Sequence, residues 1–95
     1  MKPINIAQPQ ITESEIRAVS KILRSGKLTS GEKVKQFEED FAKYISTSYA
    51  LTVANGTVAL YLGLIALGIG PGDEVITTPF TFAASVEAIC WAGAN

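Results

Sequence analysis

The sequence predicts an α/β fold in which two helices precede a strand, a helix, a second strand and a final helix. One supporting observation is charge, because residues 1–48 hold 14 of the 17 charged residues and none lies between Lys43 and Asp73. Another is periodicity, since apolar residues recur every three or four positions in the first half and in short runs in the second. Alternating short strands and helices are typical of βαβ units, which form parallel sheets.

Composition limits the kinds of protein that the chain can be. Its 95 residues are 47% apolar and 18% charged, too apolar for a disordered chain and enough for one small domain or part of a larger one. A net charge of −1 without a basic run gives no electrostatic signature of nucleic-acid binding. One cysteine and no histidine exclude a disulfide framework, a Cys/His zinc site and a histidine-based catalytic triad.

The uncharged middle of the chain is too short to span a membrane. Its longest apolar segment, residues 58–67, has ten residues, whereas a spanning helix needs about 20. The N-terminus has a lysine but no apolar segment behind it, so it does not resemble a secretory signal. These features predict a cytoplasmic protein that binds neither membranes nor nucleic acid.

The first 11 residues contain two prolines and are expected to form an extended arm before the first helix. Thr12 and Glu15 have the spacing of a capping box. In this motif the Thr12 hydroxyl accepts from the backbone amide of residue 15, and the Glu15 carboxylate accepts from the backbone amide of residue 12. An apolar stripe with three- and four-residue spacing extends this helix to about Ser25, and Gly26 follows as the C′ residue.

A second amphipathic helix is predicted to follow the connector at residues 27–31. Thr29 and Glu32 repeat the capping spacing and predict its N-cap. An apolar face then continues to about Ile45, with charged residues on the opposite faces. Residues 1–48 are therefore predicted to form an N-terminal arm and helical segment.

The pattern changes at Tyr49, where the second half of the chain begins. Its predicted elements are a strand at 49–53, a turn at 55–57, a helix at 58–67, a turn at 68–72, a strand at 73–78, a loop at 79–82 and a helix at 83–91. The first of these helices is apolar nearly all round and is expected to be buried. Because two strands are too few for a stable parallel sheet, residues 49–95 are predicted to be the incomplete start of a larger α/β domain.

A strand, then Asn55-Gly56-Thr57, then a helix is an arrangement that can bind a phosphate. Glycine lets the backbone approach an anion, while the unpaired first-turn amides and the helix dipole favour negative charge. The Thr57 hydroxyl adds one more donor. The motif is neither a Walker loop nor a dinucleotide fingerprint. An ordinary N-cap at a strand–helix junction explains the same three residues, and for this motif alone it is the commoner case.

Phe82 follows the second predicted strand, at the edge where open α/β sheets place their ligands. Its ring could stack on a planar ligand. Alternatively, Phe80 and Phe82 could plug the edge of the sheet, and core aromatics are commoner than ligand-stacking ones. From the residues alone, both explanations stay open.

Two other candidates have simpler structural explanations. Cys90 lies on an apolar helix without a nearby cation, so it is expected to be a buried small hydrophobe and not a reactive thiolate. Asp73 and Glu74 follow a Pro-Gly pair and are expected to mark a solvated turn. No metal ligand set is predicted.

Several segments, read together, resemble a known family. They are VANGTVAL at 53–60, ALGIGPGDEVI at 66–76 and PFTFAAS at 79–85, with LTSG at 28–31 and FEEDFA at 37–42 upstream. In this order and at this spacing, the chain resembles the DegT/DnrJ/EryC1/StrS family of pyridoxal-phosphate-dependent sugar aminotransferases over nearly its whole length.

The resemblance implies a fold and a cofactor site. The fold would be that of aspartate aminotransferase (fold type I), and this chain would supply its front helices and the first βαβ unit of its large domain. The cofactor would be pyridoxal 5'-phosphate, with its phosphate on Gly56, Thr57 and the Val58 amide and its pyridine ring against Phe82. Many relatives have serine where this chain has Asn55, whose carboxamide can still cap the turn.

The resemblance also implies that the catalytic residues lie elsewhere. The Schiff-base lysine, the acid that pairs with the pyridinium nitrogen and the residues that read the sugar nucleotide are expected downstream of Asn95. No catalytic residue is therefore expected within these 95 residues. Because relatives are homodimers with shared active sites, a homodimer is expected here too.

The resulting hypothesis is an aminotransferase that acts on a nucleotide-linked keto sugar in amino-sugar or polysaccharide biosynthesis, with glutamate as the amino donor. One alternative is a dehydratase-like or other pyridoxal-phosphate enzyme of the same fold, which a histidine at the downstream lysine position would support. Another is a non-catalytic module that keeps only an anion-binding or regulatory role.

Overall fold

The computed structural model describes residue 4 and residues 6–95. In that part of the chain there are four helices: α1 (Glu13–Ser25), α2 (Glu32–Tyr44), α3 (Gly56–Ala66) and α4 (Ala84–Ala92). They fall into two compact units, residues 1–50 with α1 and α2, and residues 51–95 with α3 and α4. The arm predicted at the N-terminus lies partly outside the described residues, and its described part contains no helix or strand.

Helix α1 begins and ends where the sequence predicts. The backbone of Thr12 is extended, its hydroxyl accepts a hydrogen bond from the Ser14 amide at 3.2 Å, and its amide donates to the Glu15 carboxylate at 2.6 Å. This confirms the capping box. The Thr12 hydroxyl also donates to the Glu15 carboxylate at 2.5 Å, and this bond, followed by the one from the Thr12 amide, lowers the pKa of Glu15. At the other end Gly26 adopts a left-handed conformation with φ of +68°.

Helix α2 does not have the predicted cap at Thr29. Its N-cap is Gly31, which has an extended backbone and makes no side-chain hydrogen bond. The Gly31 carbonyl accepts bonds from the amides of Val34 and Lys35 at 3.0 and 3.2 Å, so the helix starts two residues later than the capping prediction. The carboxylate of Glu32 in the first turn favours this start electrostatically.

The α/β class is not confirmed, because no strand occurs among residues 4 and 6–95. A strand requires a ladder of bonds to a neighbouring strand. In the segment predicted as the second strand, the Val75 amide donates to the Asn95 carbonyl at 2.8 Å, and the Asn95 amide donates to the Asp73 carbonyl at 2.9 Å. Asn95 thus bonds to the two residues on either side of position 74, which is the hydrogen-bond pattern of parallel strands. A single such pair is too short to make a strand.

Helix α3 packs against α4 in the second unit. The rings of Tyr61 and Trp91 meet edge to face, with centroids 6.1 Å apart and planes at 82°. On α4 the buried residues are Ala84, Ala88, Ile89 and Ala92. Among the described residues of α3 none is buried, so the prediction of a buried helix is wrong for this structure. Only the face of α3 towards α4 is partly covered, and side chains such as Leu60 and Ile65 stay nearly half exposed.

A tight turn at residues 70–73 connects α3 to the following segment. The Gly70 amide donates to the Asp73 carboxylate at 2.8 Å, and the Asp73 amide donates to the Gly70 carbonyl at 3.1 Å. This confirms the turn predicted at Asp73. Gly93, which ends α4 with φ of +79°, lies so close to the turn that an added Cβ would be 3.1 Å from the Cγ atom of Pro71. The turn is therefore held against the end of α4.

Candidate phosphate-binding site

The candidate site begins at the N-terminus of α3. Asn55 has an extended backbone, with φ of −167° and ψ of 174°, and its carbonyl accepts the first helical bond from the Ala59 amide at 3.1 Å. The amides of Gly56 and Thr57 precede that bond, so they have no acceptor within the helix. They lie at the positive end of the helix dipole, where an anion is stabilised.

The Val58 amide is already paired. It donates to Oδ1 of Asn55 at 3.0 Å, which makes Asn55 the side-chain cap of α3. The sequence resemblance assigns this amide to a cofactor phosphate, and the structure gives it a partner within the protein. The amides of Gly56 and Thr57 and the hydroxyl of Thr57 are the remaining donors of the predicted group.

The surroundings of Gly56 leave room for a ligand. A Cβ atom built on Gly56 would have no neighbouring heavy atom within 4 Å, apart from its own helix backbone and adjacent residues. Its backbone lies outside the left-handed region, so the local fold does not require a glycine for its φ. Thr57 and Val58 are half-buried, and Gly56 itself is exposed. Open space at a glycine beside free amides is what close approach of an anion needs.

The charge around this helix start is also unusual within the chain. The first turns of α1, α2 and α4 each contain at least one glutamate. The first turn of α3 contains no acidic residue, and no charged residue lies between Lys43 and Asp73. The protein itself therefore places no negative side chain on α3 against the positive end of its dipole.

Phe82 lies in the loop before α4, and its carbonyl accepts a hydrogen bond from the Ser85 amide at 3.3 Å. Its side chain is 80% exposed, and that of Phe80 is 99% exposed. One alternative predicted that both rings fill the edge of a sheet, but in this unit neither ring is buried. Because α3 and α4 pack together, the structure places the Gly56–Val58 turn and Phe82 on neighbouring elements of one unit.

Other residues differ from what the sequence suggests. Cys90 is exposed, whereas it was expected to be buried.

An open cavity of about 380 Å³ in the first unit is lined by residues that include Lys21, Leu28 and Lys33. A second, of about 300 Å³ in the other unit, is lined by residues that include Leu64 and Ala88. Neither cavity was predicted, since each brings together residues from separate elements.

The described residues contain no cluster of three or more His, Cys, Asp or Glu residues that could hold a metal ion. Within the same part of the chain, no helix has the length and apolar character needed to cross a membrane.

Free amides and a hydroxyl at a helix start without acidic residues suit a class of protein that binds phosphate groups, although every helix begins with free amides. Comparison with known proteins narrows this class. The model of the DegT/DnrJ/EryC1/StrS aminotransferase family matches residues 9–95. The chain belongs to this family, which confirms the resemblance found in the sequence.

Curated relatives are similar over most of the chain. SpsC from Bacillus subtilis (strain 168), a spore coat polysaccharide biosynthesis protein, is 48% identical over 87 residues, which cover 92% of this chain and 22% of SpsC. GDP-perosamine synthase from Escherichia coli O157:H7 is 47% identical over 96 aligned positions, covering 100% of this chain and 26% of that enzyme. The chain thus spans about a quarter of the length of these relatives.

Solved structures give the same result for the fold. The aminotransferase from Psychrobacter cryohalolentis is 44% identical with a TM-score of 0.84, covering 90% of this chain and 22% of that one. The pyridoxal-phosphate form of Spr1654 from Streptococcus pneumoniae is 41% identical with a TM-score of 0.89, covering 97% and 24%. The chain is therefore similar in fold to part of these aminotransferases, one of which was solved in its pyridoxal-phosphate form.

Proposed function

We propose that the protein carrying this chain is a pyridoxal-phosphate-dependent aminotransferase that acts on nucleotide-linked keto sugars, with glutamate as the amino donor. The observation that carries the proposal is the family match over residues 9–95. The names of two relatives, GDP-perosamine synthase and a spore coat polysaccharide biosynthesis protein, support sugar nucleotides as the substrate class.

The start of α3 fits the phosphate of this cofactor. The amides of Gly56 and Thr57 and the Thr57 hydroxyl are neutral donors at the positive end of a helix, and space at Gly56 is open. A doubly negative group would meet no acidic side chain in the first turn. These donors would anchor the cofactor by its phosphate; the resemblance adds the Val58 amide, which in this structure is bonded to Asn55.

Phe82 would orient the ring of the cofactor. Its exposed side chain offers an aromatic face, and offset stacking on a planar ring is worth about 0.5–1.5 kcal/mol. The bound cofactor supplies an electron sink for the exchange of an amino group. In this chain we assign anchoring and orienting roles only, because the lysine that holds the cofactor covalently is predicted outside these 95 residues.

We further propose the α/β architecture of fold type I, with residues 1–48 as an arm and helical segment and residues 49–95 as the start of the cofactor-binding domain. The parallel bonding pattern of Asn95 with Asp73 and Val75 supports a βαβ unit around α4. The division of the chain into units after Ala50 supports the two segments. A homodimer stays a prediction from the resemblance, and a cytoplasmic location stays a prediction from the sequence pattern.

The test uses the full-length polypeptide that carries this sequence. Titration with pyridoxal phosphate is expected to shift the visible absorbance of the cofactor as it bonds to a lysine, and absence of a shift would refute the proposal. Incubation with glutamate and a GDP-linked keto sugar is then expected to release 2-oxoglutarate. Cofactor binding without amino transfer to any nucleotide-linked keto sugar would instead favour the dehydratase-like alternative.

A further inference from the structure

Asn55 determines which amides at the start of α3 are available to a ligand. Its Oδ1 atom accepts the Val58 amide at 3.0 Å, and its backbone carbonyl accepts the Ala59 amide at 3.1 Å. These two bonds occupy the third and fourth amides of the helix. The amides of Gly56 and Thr57 come earlier and have no acceptor within the helix.

We infer that Asn55 is a positioning residue for the proposed phosphate site: it withholds the Val58 amide from the anion and leaves the Gly56 and Thr57 amides to hold it. This inference rests on the proposed function. It assigns a narrower donor set than the family resemblance, which includes the Val58 amide among the phosphate contacts.

The chemistry of the cap supports this role. Asparagine and aspartate cap helices about equally well, so stability alone does not select between them. A carboxylate in the place of the Asn55 carboxamide would lie about 3 Å from the Val58 nitrogen, and it would repel a phosphate held on the two preceding amides. A neutral carboxamide caps the helix without adding a negative charge beside the phosphate.

The first test compares Asn55→Asp with Asn55→Ser in the full-length protein, because both side chains cap a helix and only one is charged. Thermal midpoints without cofactor are expected to agree within about 2 °C, since the cap is kept. Asn55→Asp is expected to bind pyridoxal phosphate at least about tenfold more weakly than Asn55→Ser. Pyridoxal, which lacks the phosphate, should bind the two variants within about twofold.

The second test follows single amides of the wild-type protein labelled with ¹⁵N-glycine, ¹⁵N-threonine and ¹⁵N-valine. On addition of pyridoxal phosphate, hydrogen exchange at Gly56 and Thr57 should slow at least about tenfold, whereas exchange at Val58, already bonded to Asn55, should change less than about twofold.

The outcomes separate the inference from the proposed function. If Val58 gains as much protection as Thr57, or if Asn55→Asp binds pyridoxal phosphate as tightly as Asn55→Ser, the role of Asn55 is wrong while the cofactor site stands. If the wild-type protein binds no pyridoxal phosphate by absorbance and no amide gains protection, the proposed function fails and the inference fails with it.

Discussion

Replacing Gly56 by alanine separates a ligand-binding role of this residue from a folding role. The new methyl group would enter space in which no other heavy atom lies within 4 Å, and the backbone at Gly56 is helical and not left-handed. Folding should therefore tolerate the change. Alanine in place of a helical glycine stabilises by about 0.5–1 kcal/mol, less at a helix end than in its middle.

Binding should change in the opposite direction. The methyl group would occupy the approach to the Gly56 amide, and one hydrogen bond between an amide and a charged phosphate contributes about 1.5–3 kcal/mol. Loss of that bond corresponds to roughly a 10- to 100-fold weaker affinity for pyridoxal phosphate. Stability should thus stay equal or rise while affinity falls.

The assay measures urea unfolding without cofactor and equilibrium binding of pyridoxal phosphate by absorbance, both in the full-length protein. Gly63→Ala is the matched control, since Gly63 lies in the same helix with equally open surroundings. This control should gain about 0.8–1 kcal/mol of stability and bind the cofactor normally. Unchanged affinity of Gly56→Ala would refute the placement of a phosphate there, and a marked loss of stability would show that Gly56 serves the local fold.

Three further predictions follow from individual contacts. Thr57→Val should weaken retention of pyridoxal phosphate by about 0.5–1.5 kcal/mol, because a hydroxyl donor is lost; equilibrium dialysis beside Thr57→Ser tests it, and equal retention would remove this hydroxyl from the site. Gly93→Ala should lower the free energy of unfolding by more than Gly68→Ala, because the two glycines have nearly equal φ values of +79° and +78° but only the Cβ at Gly93 would touch another residue. Alanine costs roughly 1–2 kcal/mol in that conformation, so equal losses in urea would show that the contact is unimportant. Hydrogen bonds from Thr12 lower the pKa of Glu15, so the carboxylate stabilises α1 above its unfolded-state pKa and loses this effect as pH falls through the lower folded-state pKa; helical NMR shifts at residues 13–16 should follow that titration, and Glu15→Gln should abolish it.

Features set by a few neighbouring residues could be predicted from the sequence. The capping box of Thr12 and Glu15 and the glycine end at Gly26 occur as expected, because each depends on local backbone geometry. The predicted cap at Thr29 was wrong, because Gly31 adopts the extended N-cap conformation without a side-chain hydrogen bond.

Features that depend on distant partners were predicted less well. Burial of α3 and of Cys90 was inferred from apolar neighbours along the chain, but burial requires other elements to cover them. In this structure Cys90 is exposed and no residue of α3 is fully buried. Strand assignments likewise require a neighbouring strand. For the candidate site, Gly56, Thr57, Val58 and Phe82 were selected from the sequence, and Asn55 was expected to cap the turn. The structure adds that the Val58 amide is the donor to that cap.

The N-termini of α1 and α3 are capped by side chains of different chemistry. The first depends on the Glu15 carboxylate, which takes up a proton in acid, and the second on the Asn55 carboxamide, which has no proton to exchange with the medium in that range. Acidification below the lowered folded-state pKa of Glu15 should therefore loosen the first turn of α1 and leave the cap of α3 unchanged. The helix start proposed to bind the cofactor phosphate would then keep its shape under conditions that begin to fray α1.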